Sequence, residues 1–242
     1  MAHLYLNEQL ESTAAGVEIE VIGSEAKHAV TVARLKVAES ISIGNGRGLV
    51  ASGVVSSISP NRFTVLVGNV VRTERPNQSV TLVQALAKGD RDELAIQAAT
   101  ELGVDSVIAW SASRSISRWV GPKVERGLQR WNEILREATK QSLRSWIPKL
   151  EGLETTLGLA ERTSESQVLV LEPTADSSLT QIDLTIKPIS IVVGPEGGIS
   201  PEELDVLQRG GAQLVRLGDS VLRTSTAGPA ALSVLNTRLG RW

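Results

Sequence analysis

The chain has 242 residues, no cysteine, two histidines and a formal net charge of −2. Disulfides, thiolate metal sites and cysteine nucleophiles are therefore excluded, and with His3 and His28 both near the start, so is a histidine triad or multi-histidine metal site in the C-terminal half. A hydrophobic share of 41 % with 21 % charged residues describes a chain that folds around a core, and no apolar run reaches the roughly 18 residues of a membrane span.

MAHLYLNEQL lacks the basic-then-apolar order of a signal peptide, so a cytoplasmic protein is expected. Up to residue 71 the pattern is of short strands. EIEVIG, SISIG, VASGVVSSI and FTVLVGNVV are rich in Val and Ile, and GNGRG at 44–48 is a hairpin-type turn. One helix interrupts them, EAKHAVTVARL, with Ser24 expected as its N-cap. These features predict a small β-barrel-like domain over 1–71. Residues 72–79, polar and containing Pro76, read as a linker to a second domain over 80–242.

From Val80 the pattern changes to alternating strands and helices. VTLVQAL is a strand, and Asp90 with Glu93 predicts a capping box for a helix that Gly103 ends. SVIAW is the next strand. A helix from about Pro122 to Ser142 follows, with Leu128, Trp131, Leu135 and Ala138 on one stripe. QVLVLEPT, IVVGPEGG and QLVRLG are further strands. Ser200 caps the helix that Gly210-Gly211 ends, and a last helix starts near Thr226. Such alternation predicts an α/β domain with a mostly parallel sheet covered on both faces.

In such a sheet, ligands bind where loops leave the carboxyl ends of strands. Three of those loops are chemically unusual: LEPTA (171–175), GPEGGIS (194–200) and LGDSVLRTSTAG (217–228). GPEGG is neither a P-loop, lacking Gly-Lys-Ser/Thr, nor G-x-G-x-x-G. Its glycines let main chain approach a ligand, and unpaired N–H groups follow at the next helix start. Gly218 repeats that exposure, Leu217 and Leu222 supply apolar wall, and Arg223 places a fixed positive charge just before a helix, ahead of the hydroxyls of Thr224, Ser225 and Thr226. Together they suit a nucleoside-type cofactor.

Charge is segregated along the chain. Residues 112–149 hold nine Lys/Arg against three Asp/Glu, while 1–111 carry a net −3 and 150–242 a net −5. A basic island between acidic flanks suits a phosphate backbone. Arg114, Arg118, Lys123, Arg126, Arg130, Arg136, Lys140 and Arg144 are eight of its nine cations; Trp119 and Trp146 among them could stack on a base.

Five segments resemble one family. IVVGPEGGISPEEL and LVRLGDSVLRTSTAGPAAL look like the C-terminal signature of the RsmE family, SPOUT-class methyltransferases of a uridine in small-subunit ribosomal RNA. KGDRDELAIQAATELGVDSVIAW (88–110) resembles its central motif, RWNEILREATKQSLRSWIPKL (130–150) its basic helix, and HAVTVARLKVAES (28–40) the motif of its N-terminal PUA-like domain. The resemblance runs in order along nearly the whole chain. It departs at Ser225, where many relatives have glutamate, and at His3, where they often have arginine.

The resemblance implies a SPOUT α/β-knot domain with a deep trefoil knot after a PUA-like β-barrel, and a homodimer. It implies S-adenosylmethionine as cofactor, no metal, and methylation at N3 of U1498 in 16S rRNA within the small ribosomal subunit. Cofactor contacts are expected from Leu171, Glu172 and Pro173; from Gly194, Pro195, Glu196, Gly197 and Gly198; and from Leu217, Gly218, Val221, Leu222, Arg223 and Thr224. RNA contacts are expected from His28, Arg34, Arg114, Arg118, Arg136, Lys140 and Arg144. Uridine N3 carries a proton at neutral pH, so Arg223 or Arg144 is expected to stabilise the anion, and Glu196 is a candidate base or loop cap. The alternatives are a SPOUT methyltransferase for another RNA, a non-catalytic RNA-binding module, and a nucleotide-binding enzyme using GPEGG for phosphate, which the lack of a P-loop lysine disfavours.

Overall fold

The computed structural model describes residues 3–242, which divide into two compact units: 3–75 with 139–147, and 76–138 with 148–242. The short segment 139–147 joins the first unit, whereas the sequence pattern groups it with the second.

The first unit holds β1 (Leu4–Leu6), β2 (Glu18–Ile22), β3 (Ser40–Gly44), β4 (Leu49–Ser59) and β5 (Arg62–Arg72), in the order β1-β3-β4-β5-β2. β1 runs parallel to β3; the other pairs are antiparallel. Period-two alternation builds its core: Ile19 and Val21, Ile41 and Ile43, and Phe63, Val65 and Val67 all point inward. Tyr5 meets Phe63 edge-on at 5.5 Å. β1 is too short to read from sequence.

The expected Ser24-capped helix is corrected. α1 (Gly23–Lys27) begins after Ile22 with no side-chain cap, and the chain then loosens into one π-helical turn, His28–Val32. Three consecutive β-branched residues, Val30, Thr31 and Val32, disfavour a regular helix there, and Arg34 stops it in the left-handed region at φ 55°.

The turn at 44–48 forms as expected. Asn45 Oδ1 accepts from the amides of Arg47 and Leu49, at 2.8 and 3.1 Å. Gly48 has φ +91°, and a Cβ there would lie 2.8 Å from the Trp146 ring and closer still to the Thr73 carbonyl. Gly48→Ala is therefore expected to cost about 2 kcal/mol, checked as a shift in the urea midpoint at constant m.

The second unit alternates strands and helices: β6 (Val80–Ala85), α2 (Arg91–Glu101), β7 (Ser106–Trp110), α3 (Pro122–Gln141), β8 (Lys149–Glu154), α4 (Thr156–Glu161), β9 (Gln167–Leu171), β10 (Ile189–Val193), α5 (Pro201–Gly210), β11 (Gln213–Val215) and α6 (Thr224–Arg238). The unit division falls within α3. All six strands pair in parallel, in the order β11-β9-β10-β6-β7-β8. Their carboxyl ends share one rim. β6, β7 and β10 are buried along their whole length, which explains their unbroken apolar runs.

Helix ends are fixed by different means. Ser200 caps α5 in a complete capping box with Glu203, and Gly211 ends it at φ 106°. The box expected for α2 does not form: Asp90 sits in the left-handed region at φ 59° without a side-chain cap bond, and Glu93 turns to Arg130 instead. Asp92 takes the local role. Its carboxylate accepts from the amides of Ala87 and Glu93, and burial pushes its pKa up despite those bonds. α6 starts two residues earlier than its sequence suggests, at Thr224. Gly228 lets it lie close to the sheet, since a Cβ there would be 2.8 Å from Leu82. Among the described residues no helix is long and apolar enough to cross a membrane.

Candidate functional site

Four adjacent strands, β11, β9, β10 and β6, deliver their C-terminal loops to one end of the sheet. The order places β10 beside β6, a point where chain direction of travel reverses and a crevice opens. A cavity of about 470 Å³ lies there, within the size range of cofactor sites.

The three loops singled out by sequence all reach it. Leu171, Glu172 and Pro173 line it from the first, Gly194, Pro195, Glu196 and Gly198 from the second, and Leu217, Gly218, Val221, Leu222, Arg223 and Thr224 from the third. Gly197 is a correction. It turns away from the cavity toward Arg114, whose Nη1 donates to its carbonyl at 3.3 Å. Val193, Ile199, Val215 and Ala227 add apolar wall. Arg91, Arg216 and Ser220 also line it and were not anticipated. Arg91 lies in KGDRDEL, which reads locally as a helix start, so only the fold reveals its direction.

Each loop is braced. Glu172 Oε1 accepts from the Thr174 hydroxyl at 2.9 Å, and Arg216 donates to the carbonyls of Ala175 and Asp176, tying the loop after β9 to the end of β11. Glu196 Oε1 accepts from the Lys88 amide at 3.0 Å and from Arg91 Nη1 at 3.3 Å. That clamps GPEGG to the β6–α2 turn. The Thr224 hydroxyl donates to the Gly194 carbonyl at 2.8 Å and accepts from Gln84 Nε2 at 2.8 Å. Arg223, at the cap position of α6, is exposed, and its guanidinium has no hydrogen-bond or ion-pair partner among the described residues.

The main chain of the site is bare. A Cβ built at Gly198 or Gly218 would meet no protein atom within 4 Å. Exposed backbone and apolar walls, with Arg91 paired to Glu196 and Arg216 committed to two carbonyls, fit an adenosine-containing cofactor better than a triphosphate, which calls for several unpaired cations. No group of three or more potential metal ligands occurs among the described residues.

The candidate RNA residues separate. Arg114 and Arg118 are exposed in the second unit, and Arg118 Nη2 donates to the Ser113 carbonyl at 2.8 Å. Arg136 is half-buried beside Glu137. His28 and Arg34 are exposed in the first unit. Arg144, also in the first unit, is half-buried and is not among the residues lining the cavity. Lys140 is a correction: its side chain is 7 % exposed and bonds Glu25 at 3.1 Å, so its charge is spent inside the first unit. The tryptophans are also internally engaged. Trp119 meets Trp131 edge-on at 5.3 Å, and Trp146 donates to Thr73 while Arg75 covers one face of its ring at 4.3 Å.

A parallel sheet with a bare-backbone cavity at its carboxyl rim, beside exposed arginines, has the form of a cofactor-dependent enzyme acting on a polyanion. The family comparison names that class: residues 73–236 match the RNA methyltransferase domain and residues 21–68 the RNA methyltransferase PUA domain. The ribosomal RNA small subunit methyltransferase E of Mycobacterium bovis is 40 % identical to the chain, covering 100 % of it and 94 % of that protein. The Bacillus subtilis protein of the same name is 29 % identical over 89 % of this chain and 88 % of its own. The crystal structure of the Neisseria gonorrhoeae protein of that name, bound to S-adenosyl methionine, superposes with a TM-score of 0.88 at 25 % identity, covering 98 % of both chains. The chain belongs to the ribosomal RNA small subunit methyltransferase E family, with a SPOUT-type α/β domain and a PUA domain.

Proposed function

We propose that the protein transfers a methyl group from S-adenosylmethionine to N3 of a uridine in 16S rRNA, U1498 on the family resemblance, acting as a cytoplasmic homodimer on the small ribosomal subunit. The trefoil knot implied by the resemblance belongs to the same reading. The observation that carries it is the convergence of three loops, two of them glycine-bearing and one of those also carrying Arg223, on one cavity at the carboxyl rim.

Bound there, the cofactor would supply an electrophilic methyl group on a sulfonium. The chain's own residues have three tasks. Bare backbone at Gly198 and Gly218 would hold the nucleoside, with Leu171, Leu217 and Leu222 as apolar wall. Aligning donor and acceptor is itself a large part of the rate. Arg223, exposed and unpaired among the described residues, would stabilise the negative charge that uridine gains as its N3 proton leaves.

Glu196 serves the loop in this scheme. Its carboxylate already accepts two hydrogen bonds from the β6–α2 turn. Glu196→Gln is expected to weaken cofactor affinity by about tenfold. Turnover at saturating cofactor should stay within about twofold, which stopped-flow methylation would check. A collapse of turnover would make it the base.

N3 faces the pairing partner in a duplex, so the target must be unpaired or flipped out. Exposed Arg114 and Arg118 are the anchors on the second unit. Their combined replacement by alanine is expected to reduce the slope of log affinity against log salt by about 1.4, at roughly 0.7 per phosphate of single strand. The decisive assay titrates the protein with S-adenosylmethionine and with ATP, then methylates small-subunit particles and maps the product. Binding of ATP alone, or product away from uridine N3, would overturn the reading.

A further inference from the structure

Gln84 is a polar residue in a strand buried throughout, and its side chain is 0 % exposed. It pairs in register with Val193, so it stands at the base of the GPEGG loop. Its Nε2 donates to Thr224 Oγ1 at 2.8 Å and to the Ala85 carbonyl at 3.1 Å. Thr224 in turn donates to the Gly194 carbonyl at 2.8 Å. The direction of this chain is forced. A carbonyl only accepts, so the threonine hydroxyl must give its proton to Gly194 and receive one from the glutamine amide. That fixes the orientation of the amide and leaves Oε1 buried without a partner among the described residues.

A buried, unpaired carbonyl opposes folding. Methionine, of similar length and fully apolar, would fill the same space without that penalty. The two bonds that Nε2 donates do no more than offset that penalty, so stability alone does not account for glutamine here, whereas the two cavity-lining groups it organises do.

We propose that Gln84 is a positioning residue of the donor cavity: through the Thr224 hydroxyl it locks the Gly194 carbonyl to the first turn of α6, setting the loop arrangement that receives S-adenosylmethionine. This rests on the cofactor reading given above. Gln84 lies outside the cavity lining and acts only through Thr224 and Gly194.

Stability and binding should then move apart, which a purely structural role would not produce. Calorimetric titration of the wild-type protein with S-adenosylmethionine comes first; absence of binding overturns the cofactor reading and this inference with it. Given wild-type binding, Gln84→Met is expected to raise Kd by about three- to tenfold while the Tm of the ligand-free protein stays equal or rises. Thr224→Val should weaken binding similarly, and Thr224→Ser should rescue it. The Gln84→Met, Thr224→Val double variant should bind no more weakly than Thr224→Val alone, because both changes cut one chain. Wild-type affinity in Gln84→Met, additive losses in the double variant, or loss of binding only in step with a lowered Tm would each overturn the proposal and leave the cofactor reading standing.

Discussion

Replacing Arg223 by alanine is expected to lower single-turnover methylation by about 10²–10³-fold while changing cofactor affinity less than about threefold. The split follows from what each group does. Cofactor binding rests on main chain and apolar wall, which the substitution leaves in place. Arg223 lines the cavity at the cap position of α6, and it is exposed with its guanidinium unpaired among the described residues. Its charge is therefore available to an anion, and the N–H groups of the helix start reinforce it. Uridine N3 becomes a competent nucleophile only after losing its proton, and a cation beside the ring lowers the cost of that loss. The variant's rate should accordingly keep rising with pH beyond the point where the wild type levels off. Arg223→Lys should recover part of the rate, since an ammonium keeps the charge but not the planar fork. A loss of cofactor affinity matching the loss of rate would instead place Arg223 in the cofactor site alone.

Much of this site is legible in the sequence because its signals are local. GPEGG and LGDSVLRTSTAG announce themselves by glycine at the end of an apolar run, and the buried parallel sheet shows in VTLVQAL, SVIAW and IVV. Thirteen of the fourteen cofactor residues expected from sequence and resemblance line the cavity. Gly197 is the exception, and only the position of Arg114 explains it.

The illegible parts depend on partners far along the chain. Asp90 and Glu93 have the spacing of a capping box, but Arg130 claims Glu93 from 37 residues away. Lys140 adds to the basic island in composition and subtracts from it in space, because Glu25 neutralises it across the first unit. Arg91 reaches Glu196 over 105 residues. Gln84 did leave a trace, a lone amide in an apolar strand, yet its use depends on Thr224 being 140 residues away. Local pattern finds the loops; the sheet order that assembles them brings in the groups that hold them.

Glu203 illustrates the same dependence with the largest expected effect on stability. It is the N3 residue of the α5 capping box, and it is buried. Besides the Ser200 amide, its carboxylate accepts from the Ser113 amide at 2.8 Å, the Ser113 hydroxyl at 2.7 Å and the Thr156 hydroxyl at 2.8 Å. One side chain thus joins α5, the loop after β7 and the start of α4. Burial pushes its pKa up, but the bonds from Ser113, Thr156 and Ser200 outweigh burial and hold it below its ordinary value of 4.5. A carboxylate with a lowered folded-state pKa stabilises the fold fully above its unfolded value and loses that contribution as pH falls through the folded one. Wild-type stability should therefore decline from about pH 4.5 downward. In Glu203→Gln an amide nitrogen replaces one oxygen and confronts two donors it cannot accept from. The expected cost is about 3 kcal/mol near neutral pH, or roughly 6–12 °C in Tm. The same variant should lose less stability than the wild type on acidification, so that the two curves converge at low pH. Urea denaturation at a series of pH values measures both terms. Parallel curves would mean that the carboxylate's charge is not what binds these three elements.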